Sequence, residues 1–198
     1  AEKLEAAKKT NSLPKVIIPV HMGGQSCEMK EISTLARKYG ISVIEDASHA
    51  IGGFYDSHRV GDCTFSDITV FSFHPVKIIT TGEGGMATTQ NDSLAQKMRS
   101  LRSHGITRDE HDYINASDGP WYYEQQHLGL NYRLTDIAAA LGLSQLSRID
   151  SFVETRNGIA KHYDSAFSTT AIKTPKVLPE CISAFHLYIC RFEFASAN

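Results

Sequence analysis

The chain has 198 residues, 41% of them hydrophobic and 21% charged, with a formal net charge of -2. That composition excludes a disordered or collagen-like protein and supports one sizeable core with part of a second domain beside it. No long Lys/Arg tract occurs, so there is no electrostatic footprint for nucleic acid and no polybasic membrane anchor, and the expected partner is small.

In chain order, residues 1–9 read as a charged helix, with Glu5 and Lys9 four apart. Residues 15–20, Lys-Val-Ile-Ile-Pro-Val, read as a strand, followed by a Gly23-Gly24 loop and a helix over 28–39 carrying Met29, Ile32, Leu35 and Ala36 at helical spacing. The runs 41–45 and 66–73 read as buried strands, and a further strand at 85–90 leads to Asn91, which marks the start of a helix running to about Ser103. Strands alternating with helices predict a mainly parallel α/β sheet. From Gly105 to Leu130 the chain is polar, aromatic and too long for a simple link; Thr135-Asp136 then opens a helix to Leu146, and a second helix spans Ile149 to Phe167. After Pro175 and Pro179 a strand is expected at 184–194. The expected division is therefore 1–168, the central part of a large domain, and 169–198, the start of a small C-terminal domain. The chain opens without Met and stops just after this strand-like run, which reads as a piece of a longer protein.

The four cysteines, Cys27, Cys63, Cys181 and Cys190, are far apart, without a C-x-x-C pair or histidines at zinc-ligand spacing. Reduced thiols, no metal site and a soluble cytoplasmic protein are expected, because no apolar run approaches membrane-spanning length.

In an open α/β sheet, ligands sit beyond the carboxyl ends of the strands. Asp46 closes one strand and Lys77 follows another by a few residues, so the two share a crevice if those strands are neighbours. Lys77 is flanked by Val76, Ile78 and Ile79, an apolar setting for an ammonium group. Taken singly, each residue has a plain structural role: Lys77 as a solvent-reaching lysine, Asp46 as a satisfied strand-end carboxylate, His49 as a core histidine, Ser72 as a hydroxyl bonded to backbone. Gly82-Glu83-Gly84-Gly85 is by itself a turn, lacking the context of a dinucleotide fingerprint or a P-loop.

Four motifs in order change those odds: Glu45-Asp46-Ala47-Ser48-His49-Ala50-Ile51-Gly52, Ser72-Phe73-His74-Pro75-Val76-Lys77, Gly82-Glu83-Gly84-Gly85 and Gly129-Leu130-Asn131-Tyr132-Arg133-Leu134-Thr135-Asp136. Together they resemble the sugar aminotransferases of the DegT/DnrJ/EryC1/StrS family, over nearly the whole chain but only about half of a family member. Gln25-Ser26-Cys27, Phe65 to Phe71 and Arg102 to Arg108 look closest to the pseudaminic-acid branch, which transaminates a UDP-linked 4-keto sugar.

The resemblance implies part of the large domain of a fold type I enzyme dependent on pyridoxal 5'-phosphate. It implies that Lys77 holds the cofactor through a Schiff base and then moves the proton, as nucleophile and acid/base. Asp46 would pair with the ring nitrogen, His49 lie near the ring hydroxyl, and Ser72 bind the phosphate. Asn131 would reach the phosphate of the other subunit, making a homodimer with shared sites. A related dehydratase branch carries histidine in place of the lysine; Lys77 is present here, so transamination is implied, with glutamate as donor.

His21, Arg133 and His186 are further candidate substrate contacts, and Trp121, Tyr122 and Tyr123 mark a loop that could cover a sugar nucleotide or pack a subunit interface. The alternatives are transamination of another UDP- or dTDP-keto sugar, or a non-catalytic piece that binds sugar nucleotide or a partner chain. The family's N-terminal phosphate loop and the aromatic ring over the cofactor lie outside this sequence.

Overall fold

The two strand runs with the clearest alternation become the centre of the structure, a computed structural model that describes residues 1–192. In β2 (Ser42–Asp46) Val43 and Glu45 are buried, and in β5 (Ile68–Ser72), which follows the two-residue strands β3 (Phe54–Tyr55) and β4 (His58–Arg59), Thr69 and Phe71 are buried, as a period of two requires when one face meets a core. They pair in parallel, with Asp46 opposite Val70. The edge strand β1 (Val16–Ile17) adds in parallel to β2, and β6 (Gly85–Thr88) adds antiparallel to β5, giving the order β1-β2-β5-β6. The expected mainly parallel sheet is present, with one antiparallel edge.

The strand expected over 15–20 is shorter. Pro19 has no N–H to give to a ladder, and the chain beyond Ile17 rejoins β2 at a single bridge, Val20 to Asp46: Asp46 N–H donates to Pro19 O at 2.9 Å and His21 N–H to Asp46 O at 3.0 Å. Those two bonds tie the residue before the Gly23-Gly24 loop to the end of β2.

Helices form where caps and spacing predict. α1 (Glu2–Lys9) opens the chain, but Glu5 accepts from Lys38 and Tyr39 of α2 (Met29–Tyr39) instead of pairing with Lys9. Gly40 ends α2 at a left-handed φ of 65°, a C-terminal cap open to glycine at no steric cost. Asn91 accepts from Leu94 N–H to start α3 (Asp92–Arg102), and Thr135 accepts from Ala138 N–H to start α4 (Asp136–Leu146). α5 (Ile149–Phe167) follows and buries Ile149, Val153 and Ala160. α4 buries none of its residues, and Ile137 and Leu143 stand exposed on it.

Two apolar clusters flank the sheet. Met29, Ala36, Ile41, Val43, Tyr55 and Cys181 pack under α2, while Ala47, Ala50, Phe71, Phe73, Ile78, Ile79, Ile149, Val153 and Ala184 form the other.

The polar stretch 105–130 holds a small lobe. Ile106–Thr107 pairs antiparallel with Glu124–Gln125, and the buried Glu124 carboxylate accepts from Ile114 N–H at 2.7 Å, Asn115 N–H at 2.8 Å and Tyr122 OH at 2.8 Å. These bonds hold it well below the usual carboxylate range, at about 2. Tyr113 and Tyr122 meet edge to face, while Trp121 and Tyr123 are exposed.

The strand expected at 184–194 does not form among the described residues; positions 193–194 lie outside them. Pairing falls earlier, where Cys181–Ile182 adds antiparallel to Phe54–Tyr55, and a single bridge joins Lys173 and Arg191. Beyond it the chain is drawn onto the glycine loop instead of a sheet: Ala184 N–H donates to Gly24 O at 2.9 Å and Leu187 N–H to Gly23 O at 3.1 Å. Thus Cys181 and Ala184 belong to the cores formed by the preceding residues.

Candidate active site

The polar site is built at the carboxyl ends of β2 and β5. These are neighbours, as the Asp46–Lys77 crevice required. The register places Asp46 opposite Val70, so Ser72 lies two residues further on the same face, roughly 6–7 Å along the strand.

β5 runs into a turn from His74 to Thr80, where Lys77 N–H donates to His74 O at 3.0 Å. The flanking apolar residues do not enclose a common pocket: Val76 is exposed, whereas Ile78 and Ile79 enter the core. Burying two isoleucines contributes about 3–6 kcal/mol, more than the ~1–2 kcal/mol needed to fix one residue's backbone. Their role is therefore to fix the half-buried Lys77 in place.

Asp46 Oδ1 accepts from Ser48 N–H at 3.0 Å. Burial pushes this carboxyl up, but hydrogen bonding from Ser48, the charge His49 carries when protonated at low pH, and the charge of Lys77 outweigh it and hold Asp46 below the usual carboxylate range. His49 is half-buried, and burial together with Lys77 lowers its affinity for a proton against the pull of Asp46. Its Nδ1 accepts from Gly23 N–H at 3.3 Å. The His186 ring lies 4.5 Å from that of His49, centroid to centroid. Burial first, then His49, Lys77 and Arg156, push His186 down to about 4. Asp46 and His49 thus act on each other and both feel Lys77, while His186 feels His49 and Lys77. Ser72 is half-buried nearby in the strand, its Oγ accepting from His74 N–H at 3.4 Å.

Other candidates lie elsewhere. His21 is fully buried, its Nε2 2.7 Å from Glu45 Oε2 and its Nδ1 accepting from Cys27 N–H at 3.1 Å. With both nitrogens engaged in the core, it has no atom left for a substrate, contrary to the expectation from sequence. Asn131 and Arg133 are exposed, and Asn131 bridges Ser103 at the base of the small lobe. An apolar groove of about 520 Å³ between the sheet and α4, lined by Phe71, Met86, Leu143 and Leu146 among others, includes none of the polar cluster.

Sequence reasoning missed the Gly23 amide as the partner of His49, and the loop that packs on it. Gly24 has a φ of 114°, and a Cβ there would lie 2.6 Å from Phe185 N and 2.9 Å from His186 N. Only glycine lets residues 184–186 come this close, which is what brings His186 to His49. The adjacent Gly23 and Gly24 were the available signal.

A lysine and an ionised carboxylate thus stand at adjacent parallel strand ends of an α/β fold, with a hydroxyl and two imidazoles beside them. The family description "DegT/DnrJ/EryC1/StrS aminotransferase family" matches residues 1–198, and the chain belongs to that family. It is 43% identical over 189 residues to a UDP-4-amino-4,6-dideoxy-N-acetyl-beta-L-altrosamine transaminase of Campylobacter jejuni, covering 94% of this chain and 47% of that protein. Among solved structures, Helicobacter pylori PseC, an aminotransferase of pseudoaminic acid biosynthesis, superimposes with a TM-score of 0.84 at 33% identity, over 98% of this chain and 49% of that one. A DegT DnrJ EryC1 StrS aminotransferase from Brucella abortus gives 0.83 at 31% identity over 96% and 48%. The chain spans about half the length of the relatives it matches.

Proposed function

We propose that the full-length protein moves an amino group, with glutamate as donor, onto C4 of a UDP-linked 4-keto sugar, in pseudaminic acid or related surface-glycan biosynthesis. The observation that carries this is the meeting of Lys77 and the ionised Asp46 at the ends of β2 and β5. The similarity to the Campylobacter jejuni transaminase and to PseC supports the choice of substrate.

The residues fit pyridoxal 5'-phosphate. Asp46 offers a carboxylate to a cationic ring nitrogen, His49 a ring N–H to the ring oxygen, Ser72 a hydroxyl to the phosphate, and Lys77 an amine. When bound, the cofactor supplies an electron sink and carries the amino group between donor and acceptor. Lys77, held by Ile78 and Ile79, takes a proton from the donor's α-carbon side and later delivers one to the sugar C4. Asp46 keeps its charge for the ring nitrogen because its own neighbours favour the ionised form. Asn131 and the exposed Arg133 would serve the neighbouring subunit of a cytoplasmic homodimer, and the Trp121–Tyr123 stretch would meet the sugar nucleotide.

The test is to load the full-length protein with pyridoxal phosphate, reduce with borohydride and map the modified peptide, then supply glutamate with a panel of UDP- and dTDP-keto sugars. Label at Lys77 and an amino sugar formed from a UDP-4-keto substrate support the reading. Label at another lysine overturns the mechanism, and a preference for a dTDP-keto sugar overturns the substrate.

A further inference from the structure

His186 is not needed for any step above, yet it is held against His49 by a close backbone approach at Gly24 that no side chain could permit. Its Nδ1 is sealed from solvent and has no hydrogen-bond partner. A buried N–H without an acceptor costs about 1–3 kcal/mol, and orphaned buried N–H groups are rarer in folded proteins than under-satisfied acceptors. The ring proton of His186 therefore sits on Nε2. A second proton would have to enter at Nδ1, where nothing receives it.

The same logic fixes His49. The Gly23 amide donates to His49 Nδ1, so its ring proton is also on Nε2. Burial, to which the His186 ring 4.5 Å away contributes, disfavours a second proton on His49 first, Lys77 disfavours it next, and only Asp46 favours one. His186 is in turn pushed the same way by Arg156, whose guanidinium donates to Phe185 O at 2.9 Å.

We propose that His186 is a positioning residue that keeps His49 a neutral Nε2–H donor, leaving the Asp46 carboxylate unspent on an imidazolium and free for a cationic ligand ring. This rests on the cofactor reading above in one respect, the identity of that ring. The consequence is economical: the described cluster holds one carboxylate and three bases, and a charged His49 would compete with the ligand for that carboxylate while repelling Lys77.

The test uses the full-length protein loaded with pyridoxal phosphate and labelled with 15N-histidine. The ring nitrogens of His49, assigned through His49→Gln, are followed from pH 5 to pH 8 by NMR. The expected result is an Nε2–H tautomer that does not titrate over that range. His186→Asn removes the sealing ring, and His49 then takes up a proton with a midpoint inside the range, while the midpoint for the bound cofactor's visible absorbance shifts with it. His186→Phe keeps a ring against His49 and retains the parent behaviour. The inference is overturned if parent His49 titrates between pH 5 and 8, if its proton lies on Nδ1, or if His186→Asn leaves its titration unchanged. A parent protein that binds no pyridoxal phosphate would sink the cofactor reading alone, since the His49 tautomer is read without it.

Discussion

His21 Nε2 and Glu45 Oε2 lie 2.7 Å apart in the interior, one residue away from Asp46, which faces the opposite side of β2 and enters the site. The Glu45 carboxylate also accepts from Thr69 Oγ1 at 3.0 Å and from Ser66 Oγ. Removing one partner of a buried pair strands the other, at a cost of about 3–5 kcal/mol. His21→Ala should therefore lower the unfolding free energy of the full-length protein by about that amount, seen as a lower denaturant midpoint at an unchanged slope. A midpoint equal to the parent's would mean the pair does not hold the end of β2.

The same network sets an acid limit. Burial raises the Glu45 carboxyl, but hydrogen bonds from His21 and Ser66 prevail and lower it from its ordinary 4.5. The folded state then binds fewer protons than the unfolded one, so this contribution is complete above about pH 4.5 and disappears as pH falls through the lower folded value. Asp46, also lowered, acts in the same direction. Melting temperatures recorded from pH 7 to pH 3 should fall most steeply below pH 4.5, and Glu45→Gln should flatten that fall. A slope the same in both proteins would contradict the assignment.

Two glycines with positive φ make opposite predictions. Gly24→Ala puts a methyl group 2.6 Å from Phe185 N at a φ of 114°, and should cost about 1–3 kcal/mol while separating His186 from His49. Gly40→Asn, at a φ of 65° with nothing within 4 Å of the new Cβ, should cost well under that because asparagine tolerates the left-handed helix cap. Unfolding midpoints measured side by side distinguish them, and equal losses would refute the close-approach argument.

Lys77→Ala should reduce transamination by at least roughly 10²–10⁴-fold, the usual contribution of positioned acid/base catalysis. It should also abolish borohydride-stable labelling. Asp46→Asn should retain the label at Lys77 but turn over slowly, since the amide cannot balance a cationic ring. Steady-state rates together with peptide mapping separate the two roles, and a fully active Asp46→Asn enzyme would remove the carboxylate from the mechanism.

Glu124 is the hub of the small lobe. Replacing it with Gln removes the charge that the Ile114 and Asn115 amides and the Tyr122 hydroxyl all address. Limited trypsin digestion should then cut faster after Arg108, with a change in Trp121 emission, while the parallel sheet stays folded. Unchanged cleavage would show that the Tyr113–Tyr122 contact suffices.

Much of this was legible because it is local. The alternation in Ser42–Asp46 and Ile68–Ser72, and the Asn91 and Thr135 caps, each act within a few residues, so the helices and the neighbouring strand ends carrying Asp46 and Lys77 follow from the sequence. What was hidden depends on contacts across the chain. His21 looked available because it follows a strand, but Glu45 and the Cys27 amide, far away or reached around a turn, occupy its nitrogens. Residues 184–192 looked like a strand because they are apolar, yet the free carbonyls of Gly23 and Gly24 gave Ala184 and Leu187 a different partner. The meeting of His186 and His49 has no local signature except the paired glycines.

The bond from Ala184 N–H to Gly24 O, with Ala184 completely enclosed, also has a bearing on biosynthesis. A chain leaving the ribosome exposes Gly24 early and Ala184 late, and an exit tunnel conceals the most recent stretch of residues. Until Ala184 has emerged, the core around Ala47, Ala50 and Val153 lacks one wall and His49 lacks its neighbour, although β2, β5 and Lys77 are already outside. The nascent protein therefore reaches a stage with Lys77 displayed and its interior unsealed, when a chaperone would be of most use.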